Sequence, residues 1–160
     1  MHPTLPAWLL ATRRAAAYSL FAVFDGHNGA AAARHAVHAV VPLLESRLPP
    51  YLPAGVSLDE AAEWAALLQE ALVRTILELH AGFARTGGRG GCSATLLLQV
   101  GRLVTCASVG TSKATLDTGL EVMTLSGDHR VEEAGERRRL LEAGAHIARA
   151  DAHGAAGGGS

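Results

Sequence analysis

The chain has 160 residues, a net charge of −1 and 49% hydrophobic residues, which suits one globular domain of ordinary size. A charge so close to zero gives no electrostatic attraction, and no apolar run is long enough to span a bilayer, so we expect neither nucleic acid nor a membrane as a partner. Much of the hydrophobic fraction is alanine, which buries little area, so we also expect a thin core.

The two cysteines, Cys92 and Cys106, lie in apolar segments that resemble strands. This favours reduced thiols in a cytoplasmic or nuclear protein over a disulfide. Residues 1–18 form a poorly defined leader with two arginines and no acid before Asp25. An organelle-targeting segment has the same charge bias, so that alternative stays open beside a leader without function.

The first strand and the first helix are predicted on either side of a polar corner. Residues 19–24 are β-branched and aromatic, and Asp25-Gly26 follows them, as at the end of a strand. Residues 30–48 are alanine-rich and have a helical pattern, with Pro42 as a kink or break.

A second, longer helix is predicted from its start signal and its apolar face. Ser57 precedes Glu60 by three residues, which is the pattern of a capping box. Apolar side chains then recur at steps of three and four, as on one buried face of an amphipathic helix. We expect that face to contain Trp64, Leu67, Leu68, Ala71, Leu72, Ile76, Leu79 and Phe83.

Residues 87–91 are rich in glycine, and we interpret them as a flexible linker. After them the pattern predicts a meander of three or four antiparallel strands. Two tight turns, at Gly101 and at Gly119, divide the apolar segments. We expect strands at residues 93–100, 103–109, 113–116 and 120–125.

A short charged helix, residues 132–143, follows the strands, and Gly144 is well placed to end it. Residues 151–160 are rich in glycine and alanine, and we expect them to be disordered. Helices separated from a run of hairpins indicate an α+β layered fold, in which an antiparallel β-sheet packs against an antiparallel helix pair.

The corner at Asp25, Gly26 and His27 is the main candidate for chemistry. A carboxylate and a backbone carbonyl are oxygen ligands that suit Mg²⁺ or Mn²⁺. An imidazole two residues on could protonate a leaving oxygen. Taken alone, the same three residues are also typical of a plain turn in which the aspartate bonds to the backbone.

Four segments in order resemble the metal-dependent protein phosphatases, the PPM or type 2C serine/threonine phosphatases. They are "FAVFDGHNGAAAA", "GCSATLLL", "LVTCASVGTSKATL" and "LSGDHRVEEAGERRRLLEAGAHIAR". The resemblance extends over residues 19–149. It implies that residues 19–150 are part of a PPM-type domain, whose full form has two antiparallel sheets flanked by helix pairs.

The resemblance also implies a function and a set of site residues. Asp25 would bridge two Mg²⁺ or Mn²⁺ ions, Gly26 would offer its carbonyl, and His27 would be the general acid. Metal-bound water would hydrolyse phosphoserine and phosphothreonine in proteins. We expect a monomer.

The chain departs from the family pattern at several positions. Thr111 stands where the family has an aspartate that supports a further metal position, and Lys113 stands in place of an arginine. The later metal-binding aspartates of the family have no counterpart in the sequence, so the metal site is incomplete. The alternative to an enzyme is therefore a catalytically inactive pseudophosphatase or binding fragment, from a truncated or degenerate member.

Two other groups of residues invite a functional interpretation that we set aside. His35 and His38 have a spacing that can bind metal on a helix, but no third ligand is near, so we predict ordinary helix histidines. Asp128-His129 is interpreted as a structural turn that opens the short helix.

Overall fold

In a computed structural model, the described residues are 17–53 and 55–147, and they contain five strands and three helices. Most of the predicted leader and the whole predicted tail lie outside this part of the chain. The strands are β1 (Tyr18–His27), β2 (Gly91–Val100), β3 (Leu103–Val109), β4 (Thr115–Asp117) and β5 (Val122–Thr124). The helices are α1 (Ala31–Glu45), α2 (Leu58–Arg85) and α3 (Ala134–Glu142).

The main sheet has three antiparallel strands in the order β1-β2-β3. Strand β1 pairs with β2 along its full length, from Tyr18 opposite Val100 to His27 opposite Gly91. Strands β4 and β5 form a separate two-stranded sheet. The expectation of one continuous meander was therefore wrong, because β3 and β4 are neighbours in the chain but lie in different sheets. Strand β2 pairs instead with β1, which packing brings to it over a long sequence separation.

One face of the sheet carries the core. Side chains alternate along a strand, so every second residue of β2 points at helices α1 and α2. The central strand is the most deeply buried, since three alternate side chains of β2 have no exposed surface. The core consists mainly of Val40, Leu44, Leu68, Leu72, Leu96, Leu98 and Val100. The α+β layered fold is confirmed.

Helix α1 continues past Pro42 as far as Glu45, so the predicted break is absent and the helix ends earlier than expected. Pro42 lies in the last turn, where its own carbonyl still accepts the Ser46 N–H at 3.2 Å. Proline removes one backbone donor, and near a helix end that loss does not stop the few residues that follow.

Helix α2 begins as predicted, with Ser57 and Glu60 in a capping box. Much of the predicted buried face is confirmed, but Leu67 is 42% exposed. Thr75, which was not predicted to be buried, is buried on the same helix. The Thr75 hydroxyl donates to the Ala71 carbonyl at 2.8 Å, which satisfies it inside the core. A hydroxyl bonded within its own helix can therefore occupy a core position that the apolar pattern does not show.

The predicted hairpin around Gly119 is present, although β4 and β5 are shorter than expected. Gly119 has a φ of +80°, and its N–H donates to Asp117 Oδ1 at 2.8 Å. Cys92 and Cys106 are free, half-buried thiols on β2 and β3, where the sequence predicts strands.

Residues 128–147 form a separate compact unit around α3. Gly144 ends the helix as predicted: its φ is +81°, and Ala145 N–H donates to the Leu140 carbonyl at 2.9 Å, as in a Schellman motif. The helix has no fully buried residue, and most of its charged side chains are exposed, whereas Glu136 is partly covered by its bonds to Arg139 and His129. His129 Nδ1 lies 3.3 Å from Glu136 Oε2, so His129 contacts the first turn of α3, which begins at Ala134.

Candidate functional site

The candidate corner lies inside strand β1, not after it. Asp25 is opposite Ser93, Gly26 is opposite Cys92, and the strand ends only at His27. Strand β2 begins at Gly91 and so provides a partner for each of these residues, which is why the chain stays extended past the apolar residues. The corner is therefore held by a sheet, which fixes its backbone more firmly than a turn would.

A tight reversal connects the corner to helix α1. Asn28 has a φ of +56° and Gly29 a φ of +110°, both left-handed values. The chain folds back closely enough that a Cβ atom on Gly26 would lie 3.0 Å from the Gly29 carbonyl oxygen. The same Cβ atom would lie 3.5 Å from the Ala33 side chain. Gly26 therefore allows the start of α1 to pack over the corner.

Two further glycines hold the corner from the opposite strand. Gly90 has a φ of +89°, and a Cβ atom there would lie 2.7 Å from the His27 carbonyl oxygen. A Cβ atom on Gly91 would lie 2.6 Å from His27 Nε2. The last two glycines of the glycine-rich stretch therefore pack against His27. The interpretation of the stretch as only a flexible linker was wrong. The sequence shows the run of glycines, but only the pairing of the strands shows that these glycines leave space for His27.

The turn after β3 lies at the same end of the sheet. A Cβ atom on Gly110 would lie 2.7 Å from the Ser93 side chain, and Ser93 is the partner of Asp25. The Thr95 hydroxyl donates to the Ser112 carbonyl at 3.2 Å, which ties this turn to β2. The structure therefore brings together two of the segments singled out from sequence, the one at Asp25 and the one containing Thr111.

The corner offers few ligands to a metal ion. Asp25, Gly26 and His27 are all exposed at the end of the sheet. Within residues 17–53 and 55–147 no group of three or more histidine, cysteine, aspartate or glutamate side chains is placed to hold a metal. One carboxylate and one carbonyl do not fit a pair of divalent ions, since such ions need several anchoring oxygens.

The two histidines of α1 do not form a metal site with other described residues. His38 is exposed, whereas His35 is half-buried with its ring centroid 5.8 Å from that of Phe83. Phe83 was expected in the core but lies half-buried beside this imidazole. His80 also lies nearby on α2 and was not singled out from sequence, because no pattern marks a single exposed histidine.

Comparison with known structures identifies the type of fold. The chain is similar to the crystal structure of serine-threonine phosphatase 2C from Toxoplasma gondii, with a TM-score of 0.60 and 20% identity. The match covers 78% of this chain and 44% of that one. The sheet and helix pair described above are therefore part of a phosphatase 2C fold.

The sequence comparisons then identify the family. Residues 4–154 match the family model described as "Protein phosphatase 2C", so the chain belongs to the protein phosphatase 2C family. It is 41% identical over 135 residues to "Probable protein phosphatase 2C 33" of Oryza sativa subsp. japonica, which covers 83% of this chain and 30% of that protein. It is 39% identical over 135 residues to "Probable protein phosphatase 2C 15" of Arabidopsis thaliana, with 83% and 29% covered.

These matches confirm the family resemblance that the four motifs indicated. The matched region spans about 30% of the length of the curated relatives. The family acts on phosphoproteins and in general depends on Mg²⁺ or Mn²⁺. No helix in the described part of this chain is long and apolar enough to cross a membrane.

Proposed function

We propose that this protein is a metal-dependent protein serine/threonine phosphatase to which the described residues contribute one corner of the active site. The observation that carries the proposal is the Asp25-Gly26-His27 corner, which is exposed, held by the sheet, and adjacent to the Gly110 turn in a chain of this family. Carboxylates on other parts of the domain would have to complete the metal site, since the corner supplies too few oxygens.

The proposed roles of the corner follow from its chemistry. Asp25 and Gly26 would each supply one oxygen ligand, a side-chain carboxylate and a main-chain carbonyl. His27 would hold a proton at its ring and pass it to the serine or threonine oxygen that leaves. Gly90 and Gly91 would position that ring, because any larger residue would occupy the space beside it.

The proposal extends to the organisation and partners of the protein. Residues 19–150 would form part of a PPM-type domain, preceded by a leader. The substrates would be proteins that carry phosphoserine or phosphothreonine, and the protein would act as a monomer in the cytoplasm or the nucleus. Each of these statements rests on the family together with the residue patterns given above.

A chimera tests whether the corner works in a complete domain. The 135 matched residues of the rice relative would be replaced by those of this chain, and hydrolysis of a phosphothreonine peptide would be measured with Mn²⁺. We expect the chimera to be active. Asp25→Asn should abolish activity, and His27→Ala should lower kcat by about 10²-fold or more, the usual contribution of a general acid.

Asp117→Asn is the matched control, because Asp117 is an exposed aspartate of the β4–β5 hairpin and not one of the corner residues. It should leave activity unchanged. A folded, active chimera whose activity is the same with Asp25→Asn, or in the presence of a chelator, would contradict the proposal. A chimera that folds but neither hydrolyses the peptide nor binds Mn²⁺ by calorimetry would favour the pseudophosphatase instead.

A further inference from the structure

A cavity of about 500 Å³ lies between helices α1 and α2 and the inner face of the sheet. It exists because several buried positions around it are alanines, namely Ala32, Ala36 and Ala94, which are only 4–5% exposed yet fill little volume. Larger apolar side chains complete the lining, among them Phe24, Ile76, Leu79, Phe83 and Val109.

Glycines make room for the rings that form the cavity wall. A Cβ atom on Gly82 would lie 3.0 Å from His35 Nε2, and one on Gly88 would lie 2.7 Å from the ring of Phe83. The rings of His35 and Phe83 are tilted against each other at a centroid distance of 5.8 Å. The wall is therefore an arrangement in which aromatic side chains lie against backbone that has no side chain of its own.

Besides the Cys92 thiol, the polar side chains around the cavity are all imidazoles. Three imidazoles line it, from His27, His35 and His80, and no aspartate, glutamate, lysine or arginine side chain does so within the described residues. None of the three is hydrogen-bonded to another described residue. An imidazole can donate an N–H to an acceptor, and the cavity lining contains no carboxylate that would pair with a cationic ligand.

We infer that this cavity binds a small molecule with an apolar body and one carboxylate, of the size of a medium-chain fatty acid. Its volume lies within the range of ligand pockets, which are mostly apolar with a few polar groups that fix orientation. The apolar body would lie against the alanines and phenylalanines. The carboxylate would accept hydrogen bonds from the imidazoles at the wall.

The cavity shares His27 with the proposed phosphatase corner but lies on the other face of the sheet from Asp25. Side chains alternate along β1, so Phe24 points to the helix-covered face and Asp25 to the opposite one. Only His27, at the end of the strand, lies beside both. The inference therefore does not depend on the phosphatase activity, and it also does not require a metal, which the described histidines and cysteines are not placed to hold.

Calorimetry with the full 160-residue chain tests the ligand class directly. The probes are decanoate, decanol and decyltrimethylammonium, which share one apolar tail. We expect decanoate to bind about tenfold more tightly than decanol, the ratio that one charge-assisted hydrogen bond gives. The ammonium probe should bind most weakly. Equal affinities for all three probes would contradict the carboxylate preference.

The two cysteines provide a second measurement within the same molecule. Cys92 lines the cavity, whereas Cys106 lies on the opposite face of the sheet, opposite Leu97. Burial raises the pKa of both thiols, so both begin as neutral thiols that react slowly with N-ethylmaleimide. Decanoate at ten times its Kd should slow alkylation of Cys92 about tenfold and leave Cys106 unchanged.

Filling the cavity tests its location. Ala36→Leu should weaken decanoate binding at least about tenfold, since the added side chain occupies the cavity. Val37→Leu on the exposed face of α1 is the control and should bind as the original chain does. If Ala36→Leu fails to fold, the alkylation result still decides. No protection of Cys92, or equal protection of Cys106, would overturn the inference.

Discussion

The two ends of the three-stranded sheet are built in opposite ways. At the packed end, where Tyr18, Val100 and Leu103 meet, side chains fill the space between the sheet and the helices. At the glycine end, where His27 lies opposite Gly91, four glycines (Gly26, Gly90, Gly91 and Gly110) lie against neighbouring atoms at positions where a Cβ atom would be crowded. The same strands thus run from a region of buried apolar side chains to a region with an exposed carboxylate and a cavity.

The difference shows that the residues that stabilise this domain and the residues of the candidate site lie at opposite ends of one sheet. Burial of large apolar side chains supplies most of the free energy of folding, and this burial is concentrated at the packed end. The glycine end contributes little burial, but its backbone is fixed by strand pairing and by contacts that tolerate no Cβ atom. Three predictions test this division, from the largest expected effect to the smallest.

Truncating a core leucine should cause the largest loss of folding stability. Leu72 has no exposed surface, so Leu72→Ala should lower the free energy of unfolding by about 3 kcal/mol, from lost burial and the cavity left behind. Urea denaturation followed by circular dichroism measures it. Leu77→Ala is the control on the same helix, because Leu77 is 62% exposed and its truncation should change the free energy by less than about 0.5 kcal/mol. Equal losses would show that the core is not where burial places it.

Adding one methyl group at the glycine end should lower the free energy of unfolding by less than the leucine truncation does. It should lower it by more than the same change at a turn where the added Cβ atom meets no other atom. Gly90→Ala should lower the free energy of unfolding by about 2 kcal/mol, because the residue has a positive φ and its Cβ would meet a carbonyl oxygen. Gly119→Ala should cost about 1 kcal/mol, since Gly119 has a φ of +80° but no atom within 4 Å of the added Cβ. The difference between the two losses measures the close contact, and no difference would contradict it.

The smallest effect on stability is expected in the unit around α3, which serves as a reference for the two ends of the sheet. Hydrogen bonding from Arg139, and then from His129, lowers the pKa of Glu136 to about 2 from an ordinary value of 4.5. A lowered pKa in the folded state means that this carboxylate stabilises the unit fully above pH 4.5. That contribution should be lost as the pH falls from 4.5 to about 2.

Carboxyl chemical shifts measured by NMR across that pH range would report the titration of Glu136, and circular dichroism would report the helix. Glu136→Gln should remove the titration step and lower the helical signal at neutral pH. Glu142→Gln is the matched control, because Glu142 is exposed on the same helix. A Glu136 carboxyl that titrates near 4.5 would show that its bonds with Arg139 and His129 do not form in solution.

Local signals in the sequence were sufficient for most of the elements. Ser57 and Glu60 marked the start of α2, Gly119 marked a hairpin and Gly144 marked the end of α3, because each depends on residues a few positions apart. Sequence motifs also indicated the family, which the comparisons confirmed. The roles of Asp25, Gly26 and His27 in the site were named from the same motifs and stay predictions.

The sequence by itself determined the elements, the thin alanine-rich core and the family, since period, capping and motifs are properties of neighbouring residues. Only the tertiary structure decided that β1 pairs with β2, that Gly90 and Gly91 lie against His27, and that the alanines leave a cavity. The physical reason is distance along the chain. More than 60 residues separate His27 from Gly91, so their contact depends on packing between whole elements, and no local pattern records it.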